Sequence, residues 1–186
     1  IHVSTYQSVS GSGMKGIEQL RAEREGREPE RRAYPYSIDL NCIPHCDEFL
    51  ENGYTKEEMK LVNETRKIFN LPQLAVSATA VRVPVWGGHS ESVSVEFEKP
   101  IKPDEARNLI AAMHGVTVLD DPSQLRYPMA RYAQESDQVF VGRIRQDLAT
   151  GENGLTMWVV ADNIRKGAAT NAVQIVTALI AKGCCQ

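Results

Sequence analysis

An arginine and a histidine stand seven residues apart in the segment Arg82-Val-Pro-Val-Trp-Gly-Gly-His89. The guanidinium is a planar fork suited to a carboxylate, and the imidazole titrates near neutral pH. Together they suit an enzyme that acts on a carboxylate-bearing substrate. In a straight strand, residues seven apart face opposite sides. The pair therefore serves one site only if the Gly87-Gly88 turn bends the chain. Neither a recognisable nucleophile nor a complete nucleotide-binding pattern accompanies the pair, which points to half of an active site.

Other residue patterns have plainer readings when taken alone. Thr55-Lys-Glu-Glu58 is a capping box, with Glu58 reaching back to the start of its helix. Glu57 and Lys60 share one helix face at i, i+3, the spacing of an ordinary surface ion pair. Gln7 is a polar residue at a strand end, Ser10-Gly11-Ser12-Gly13 is a tight turn, and Asn163 is a helix cap before Arg165. Cys42-Ile-Pro-His45-Cys46 has no second ligand pair in sequence, so a strand ending in a proline turn is favoured over a metal site. Cys184-Cys185 reads as a frayed C-terminus.

The elements that must position these groups follow from periodicity. Strands are expected over 1–9, 74–86, 90–98, 116–119, 139–145 and 155–160. Val93, Val95 and Phe97 are expected inward, and Gly87-Gly88 is expected to join two strands as a hairpin or rim. Helices are expected from about Ile17 to Glu25, from Thr55 to about Phe69, from Pro103 through Met113, and from Arg165 to Lys182. The last should bury Ala169, Ala172, Val173, Val176 and Ile180. The charged stretch 26–35 predicts a mobile loop. Strands and helices are mixed with several short links. That favours an α+β fold with a mixed, largely antiparallel sheet and helices on one face.

The chain has 186 residues, enough for one domain, and a formal net charge of −3 from 21 basic and 24 acidic residues. So mild and mixed a charge offers no case for nucleic acid. No apolar run is long enough for a membrane span. Four scattered cysteines fit a reduced, cytoplasmic protein. The start at Ile1, without Met or signal peptide and already strand-like, leads us to expect a piece of a longer protein.

Six segments, in order from Ile1 to Lys182, resemble the aspartate-semialdehyde dehydrogenases. They are Ser4-Thr-Tyr-Gln-Ser-Val-Ser-Gly-Ser-Gly13, Asn41-Cys-Ile-Pro-His45, Asn52-Gly-Tyr-Thr-Lys-Glu-Glu-Met-Lys60 with Glu64-Thr-Arg-Lys-Ile68, Arg82-Val-Pro-Val85, Gly88-His-Ser-Glu-Ser92, and Asp162-Asn-Ile-Arg-Lys-Gly-Ala-Ala-Thr-Asn-Ala-Val-Gln174. The resemblance implies the C-terminal, glyceraldehyde-3-phosphate-dehydrogenase-like domain of an enzyme that reduces aspartyl phosphate to aspartate semialdehyde with NADPH and releases phosphate. It also implies an N-terminal Rossmann domain and a nucleophilic Cys, neither of them in this sequence, so that the chain alone is inactive.

By the same resemblance His89 is the acid/base, Arg82 holds the substrate carboxylate, Glu57 the amino group, Lys60 the phosphate, and Gln7 orients the substrate. Ser10, Gly11, Ser12, Gly13 and Asn163 contact NADP. A homodimer and a final helix packed toward the missing domain are implied too. Two rivals remain. An N-acetyl-glutamyl-phosphate reductase-like domain sits poorly with Glu57 as ammonium partner. An inactive dimerisation module has no reason to gather Arg82, Lys60 and His89 around one cavity.

Overall fold

Alternating sequences and turn residues resolve into six strands in a computed structural model that describes residues 1–184; Cys185 and Gln186 lie outside it. The order is β1 (His2–Gln7), α1 (Gly13–Arg24), α2 (Lys56–Phe69), β2 (Ser77–Arg82), β3 (His89–Glu96), α3 (Pro103–Ala111), β4 (Val116–Val118), the short α4 (Ala130–Ala133), β5 (Val139–Gln146), β6 (Gly154–Ala161) and α5 (Thr170–Ala181). One sheet runs β2-β1-β3-β6-β5-β4. Its centre is antiparallel, and parallel pairs, β1 with β2 and β4 with β5, close both edges. The expected mixed α+β sheet is what the chain forms.

The parallel edge decides where the site lies. Parallel neighbours need a long crossover, and here α1, the 26–55 segment and α2 supply it. Ala78, Ala80 and Arg82 face inward from β2, and the two alanines leave room for α2 to seat Val62 against that edge. A hydrophobic cluster joins Ala106 and Ile110 of α3 to Val141, Ile144 and Leu155. The opposite sheet face carries Tyr6 against Trp158, ring centroids 5.2 Å apart.

Several sequence expectations need correction. Gly87-Gly88 does not close a hairpin: β2 and β3 lie on opposite sides of β1. The strand expected over 74–86 holds its ladder only from Ser77 to Arg82. Phe97 falls beyond β3 and is exposed. The helix expected from Ile17 already starts at Gly13. The charged 26–35 stretch ends tied to α1, because Gln19 Oε1 accepts the backbone N–H groups of Ala33 (2.6 Å) and Tyr34 (3.0 Å).

The final helix differs most. A π-turn over Arg165–Ala169 precedes α5, and no α5 residue is buried among the described residues. Val173 is 65% exposed and Ile180 60%. Its apolar periodicity predicts burial, but nothing among the described residues covers it. None of the described helices is long and apolar enough to cross a membrane.

The capping box joins α2 to the sheet. Thr55 Oγ1 accepts the Glu58 N–H (3.2 Å), and Glu58 Oε2 accepts the Thr55 N–H (2.8 Å). Glu58 Oε1 then accepts the Ala80 N–H of β2 (3.0 Å), so one buried carboxylate holds helix start and strand together. Replacing Glu58 by Ala strips two buried donors of their acceptor. We expect a loss of roughly 2–4 kcal/mol in chemical denaturation, against about 1 kcal/mol for Thr55→Ala. Equal, small losses would mean the bond to Ala80 contributes nothing.

Candidate active site

β1 ends at Gln7, and the next residue organises the site. Ser8 is fully buried and lies just past the strand's ladder. Its N–H donates to His89 Nδ1 (3.2 Å), and its carbonyl accepts from Arg82 Nη1 (2.6 Å). Its hydroxyl lies 3.0 Å from His89 Nδ1 and 3.1 Å from Asn163 Oδ1. Arg82 ends β2, paired with Gln7, and His89 opens β3 one step beyond the Tyr6–Ser90 pair. The two therefore flank the end of β1 on one sheet face. The parity objection disappears because they occupy different strands.

The 83–88 connection crosses the end of β1. Val83 N–H donates to Gln7 O (3.0 Å), and Val9 N–H and Ser10 N–H donate to Val85 O (2.9 Å) and Trp86 O (3.2 Å). Gly88 delivers His89 with φ of 82°, and a Cβ there would lie 2.6 Å from Ala130 O. Both the dihedral and the approach demand glycine.

Asn163, two residues past the end of β6, holds this crossing. Its Oδ1 accepts from Ser8 Oγ, Ser10 Oγ and the Gly88 N–H, each at 3.1 Å. Asp162 fixes the backbone beside it by accepting N–H groups from Glu135 (2.8 Å), Ile164 (2.8 Å) and Arg165 (2.9 Å).

Around these groups lies a cavity of about 560 Å³. Gln7, Gly11, Ser12, Glu57, Lys60, Arg82, His89 and Asn163 line it, so it gathers most of the residues singled out in sequence. Gln7 Nε2 donates to Glu57 Oε1 (3.1 Å), and Lys60 lies 3.8 Å from Glu57. Arg82 is buried, stands 5.8 Å from the Tyr34 ring centroid, and leaves its Nε without a hydrogen bond. A buried guanidinium with a spare donor beside a cavity suits an anionic ligand.

Burial, then the Arg82 guanidinium, push the His89 pKa down to about 4, with the Gly88 backbone and Asp162 opposing. The ring is neutral at pH 7. Because Nδ1 accepts the Ser8 N–H, the ring proton resides on Nε2. Burial raises the Cys46 thiol, which also lines the cavity.

The Ser10–Gly13 loop divides its work. Ser10 Oγ turns inward to Asn163, Ser12 Oγ accepts from the Tyr34 hydroxyl (2.9 Å), Gly11 and Ser12 line the cavity, and a Cβ on Gly13 would meet no atom within 4 Å. A Cβ on Gly11 would lie 2.7 Å from Arg82 Nη1 and 3.2 Å from the His89 ring. The sequence reading missed Ser8, Cys46, Asp162 and Glu91. Glu91 was detectable, since i, i+2 on a strand shares the face of His89. Ser8 acts through its backbone and carries no such signal.

Gly11→Ala should displace the Arg82 guanidinium from the Ser8 carbonyl. A flexible side-chain tip yields easily, so stability should fall by under about 1 kcal/mol while anion affinity falls about tenfold, measured by melting and ligand titration. Unchanged affinity would mean Gly11 is not pressed on the guanidinium. The pH response of His89 is a second check. The unfolded ring protonates near 6.5 and the folded ring near 4, so the unfolded state binds more protons in between. Stability should fall by roughly 3 kcal/mol as pH drops through that window. Denaturation of His89→Gln across the same window should lack this part of the slope; parallel slopes would refute the depressed value.

The sequence pattern of the family described as "Semialdehyde dehydrogenase, dimerisation domain" matches residues 1–166. The chain is 54% identical over 186 residues to the aspartate-semialdehyde dehydrogenase of Aquifex aeolicus (strain VF5), covering 97% of this chain and 54% of that protein. With the Bacillus subtilis (strain 168) enzyme it shares 47% over 189 residues, 95% of this chain and 54% of the other. The crystal structure of aspartate semialdehyde dehydrogenase II complexed with ASA, from Vibrio cholerae, superposes with a TM-score of 0.89 at 45% identity, over 96% of this chain and 54% of that one. The chain thus spans about half the length of the relatives it matches. Sequence pattern and fold agree: the chain belongs to the semialdehyde dehydrogenase dimerisation-domain family.

Proposed function

We propose that this chain is the substrate-binding and dimerisation half of an aspartate-semialdehyde dehydrogenase, which reduces aspartyl phosphate with NADPH and releases phosphate. The observation that carries the reading is the convergence of Arg82 and His89 on Ser8 at the wall of one polar cavity, with Glu57 and Lys60 opposite. An inactive module would have no use for that convergence. Arg82 binds the substrate carboxylate through its fork, Glu57 the ammonium and Lys60 the phosphate, while Gln7, tethered to Glu57, orients the substrate.

The acyl-accepting thiol comes from the other half of the protein. Cys46 is a poor candidate because burial disfavours its thiolate. His89 presents Nε2 to the reaction, since Nδ1 is taken by Ser8. Its Nε2–H donates a hydrogen bond to a thiolate or developing oxyanion; once that proton has passed to the product oxygen, the same nitrogen is free to accept one from the thiol.

NADP supplies or accepts the hydride. The residues here fit its reactive end. Gly13 opens α1 with free space around it, and Asn163, whose Oδ1 is fully occupied, keeps its NH₂ group for a carbonyl acceptor. The exposed apolar face of α5 packs on the dinucleotide domain, and the Tyr6–Trp158 face of the sheet forms the homodimer.

The test uses the full-length protein, assayed for NADP-dependent oxidation of aspartate semialdehyde in phosphate, with N-acetyl-glutamate semialdehyde as competitor. We expect the aspartate compound to be preferred by at least about a hundredfold, and His89→Gln to lower kcat by about 10²–10⁴. Preference for the acetylated compound would favour the glutamyl-phosphate reductase reading. Absence of turnover with either would sink both.

A further inference from the structure

The chain has 13 glycines, and the fold accounts for all but one of them. Either φ lies in the left-handed region, as at Gly88, or a Cβ would come within 3.3 Å of a neighbour, as at Gly11 and Gly142. Gly167 has neither reason. Its φ lies outside the left-handed region, and a Cβ there would come no nearer than 3.9 Å to Asn163 Cβ and the Asp162 carbonyl oxygen. It sits inside the π-turn that leads into α5, where glycine is the poorest helix former after proline. Its N–H already donates to Asp162 O (3.1 Å), so it has no donor to spare. What it offers is room, and that room opens on the cavity, whose wall Gly167 shares with Asn163.

We propose that Gly167 is a cofactor-positioning residue: its missing side chain leaves the slot that the nicotinamide ring of NADP fills, with the ring's carboxamide at Asn163. The inference rests on the function proposed above. Val159 and Ala161, alternate residues of β6, give the same wall an apolar surface. Asn163 Oδ1 is occupied by Ser8, Ser10 and Gly88, which leaves its NH₂ group for a carbonyl. A slot with bare backbone, an apolar wall and one amide donor suits a planar ring that bears a carboxamide. The small, charged substrate has its partners in Arg82, Glu57 and Lys60, and gains nothing from a residue without a side chain. A glycine that costs helix stability and is not required by the local backbone is explained by the ligand it admits.

The experiment titrates NADPH, followed by the fluorescence of its reduced ring and without substrate, into the full-length protein and its Gly167→Ala and Gly167→Val variants. The fold has room for one methyl, and alanine is the better helix former. G167A should therefore melt about 1–2 °C above the parent. It should nevertheless bind NADPH about tenfold more weakly, and G167V more weakly still. Adenosine 2′,5′-bisphosphate, which has no nicotinamide, should bind all three proteins within about twofold. Unchanged NADPH affinity in G167A overturns the proposal, as does an equal loss of the bisphosphate. A G167A that melts several degrees lower, or does not fold, also overturns it, because the glycine would then serve the fold. If the parent binds no NADPH, the functional reading fails and this inference with it. If parent and G167A bind NADPH equally, this inference fails alone.

Discussion

The backbone of Ser8 is the constraint on which the site depends. One peptide N–H and one carbonyl, just past the β1 ladder, hold an imidazole and a guanidinium in fixed relation. Main-chain groups cannot rotate away as side chains do, so the two functional groups inherit the rigidity of the sheet. The same contact chooses the imidazole tautomer, and the guanidinium it positions helps keep the ring neutral. Position, protonation and electrostatics all follow from where β1 ends.

That ending is itself a matter of topology. β1 is flanked by a parallel and an antiparallel neighbour, so β2 reaches it with its C-terminal end and β3 with its N-terminal end. Both deliver a residue to one corner. The connection between them must cross the end of β1, and Gly88 and Asn163 allow and secure the crossing. On the other side, α2 completes the cavity because the Glu58 carboxylate fixes its first turn to Ala80. The groups opposing Arg82 and His89 are therefore set by a helix cap.

The cavity's charges are balanced by burial as much as by pairing. His89 is neutral because water is excluded and a cation is near, and Glu91 is pushed toward its acid form by exclusion alone. Arg82 Nε, at the cavity wall, is a buried donor with no protein partner. A buried polar group left unpaired is expensive, and its place beside the cavity suits completion by a ligand.

Much was legible in the residues themselves. The capping box and the strand patterns over 139–145 and 155–160 depend on local spacing, and the chain obeys them. The ordered segments from Ser4 to Gln174 carried the family and with it the residues Gln7, Glu57, Lys60, Arg82 and His89, all of which line one cavity. The parity of Arg82 and His89, the fate of Gly87-Gly88 and the burial of α5 were not legible. Parity holds only within a strand, and the sequence does not say that a third strand separates these two. An apolar stripe records that a partner is needed without saying where it is, and for Val173 or Ile180 no described residue is that partner. Sequence determined which chemical groups this protein possesses. The order of strands around β1 decided which of them meet, because a backbone N–H and carbonyl become a clamp only when tertiary structure brings their partners to them.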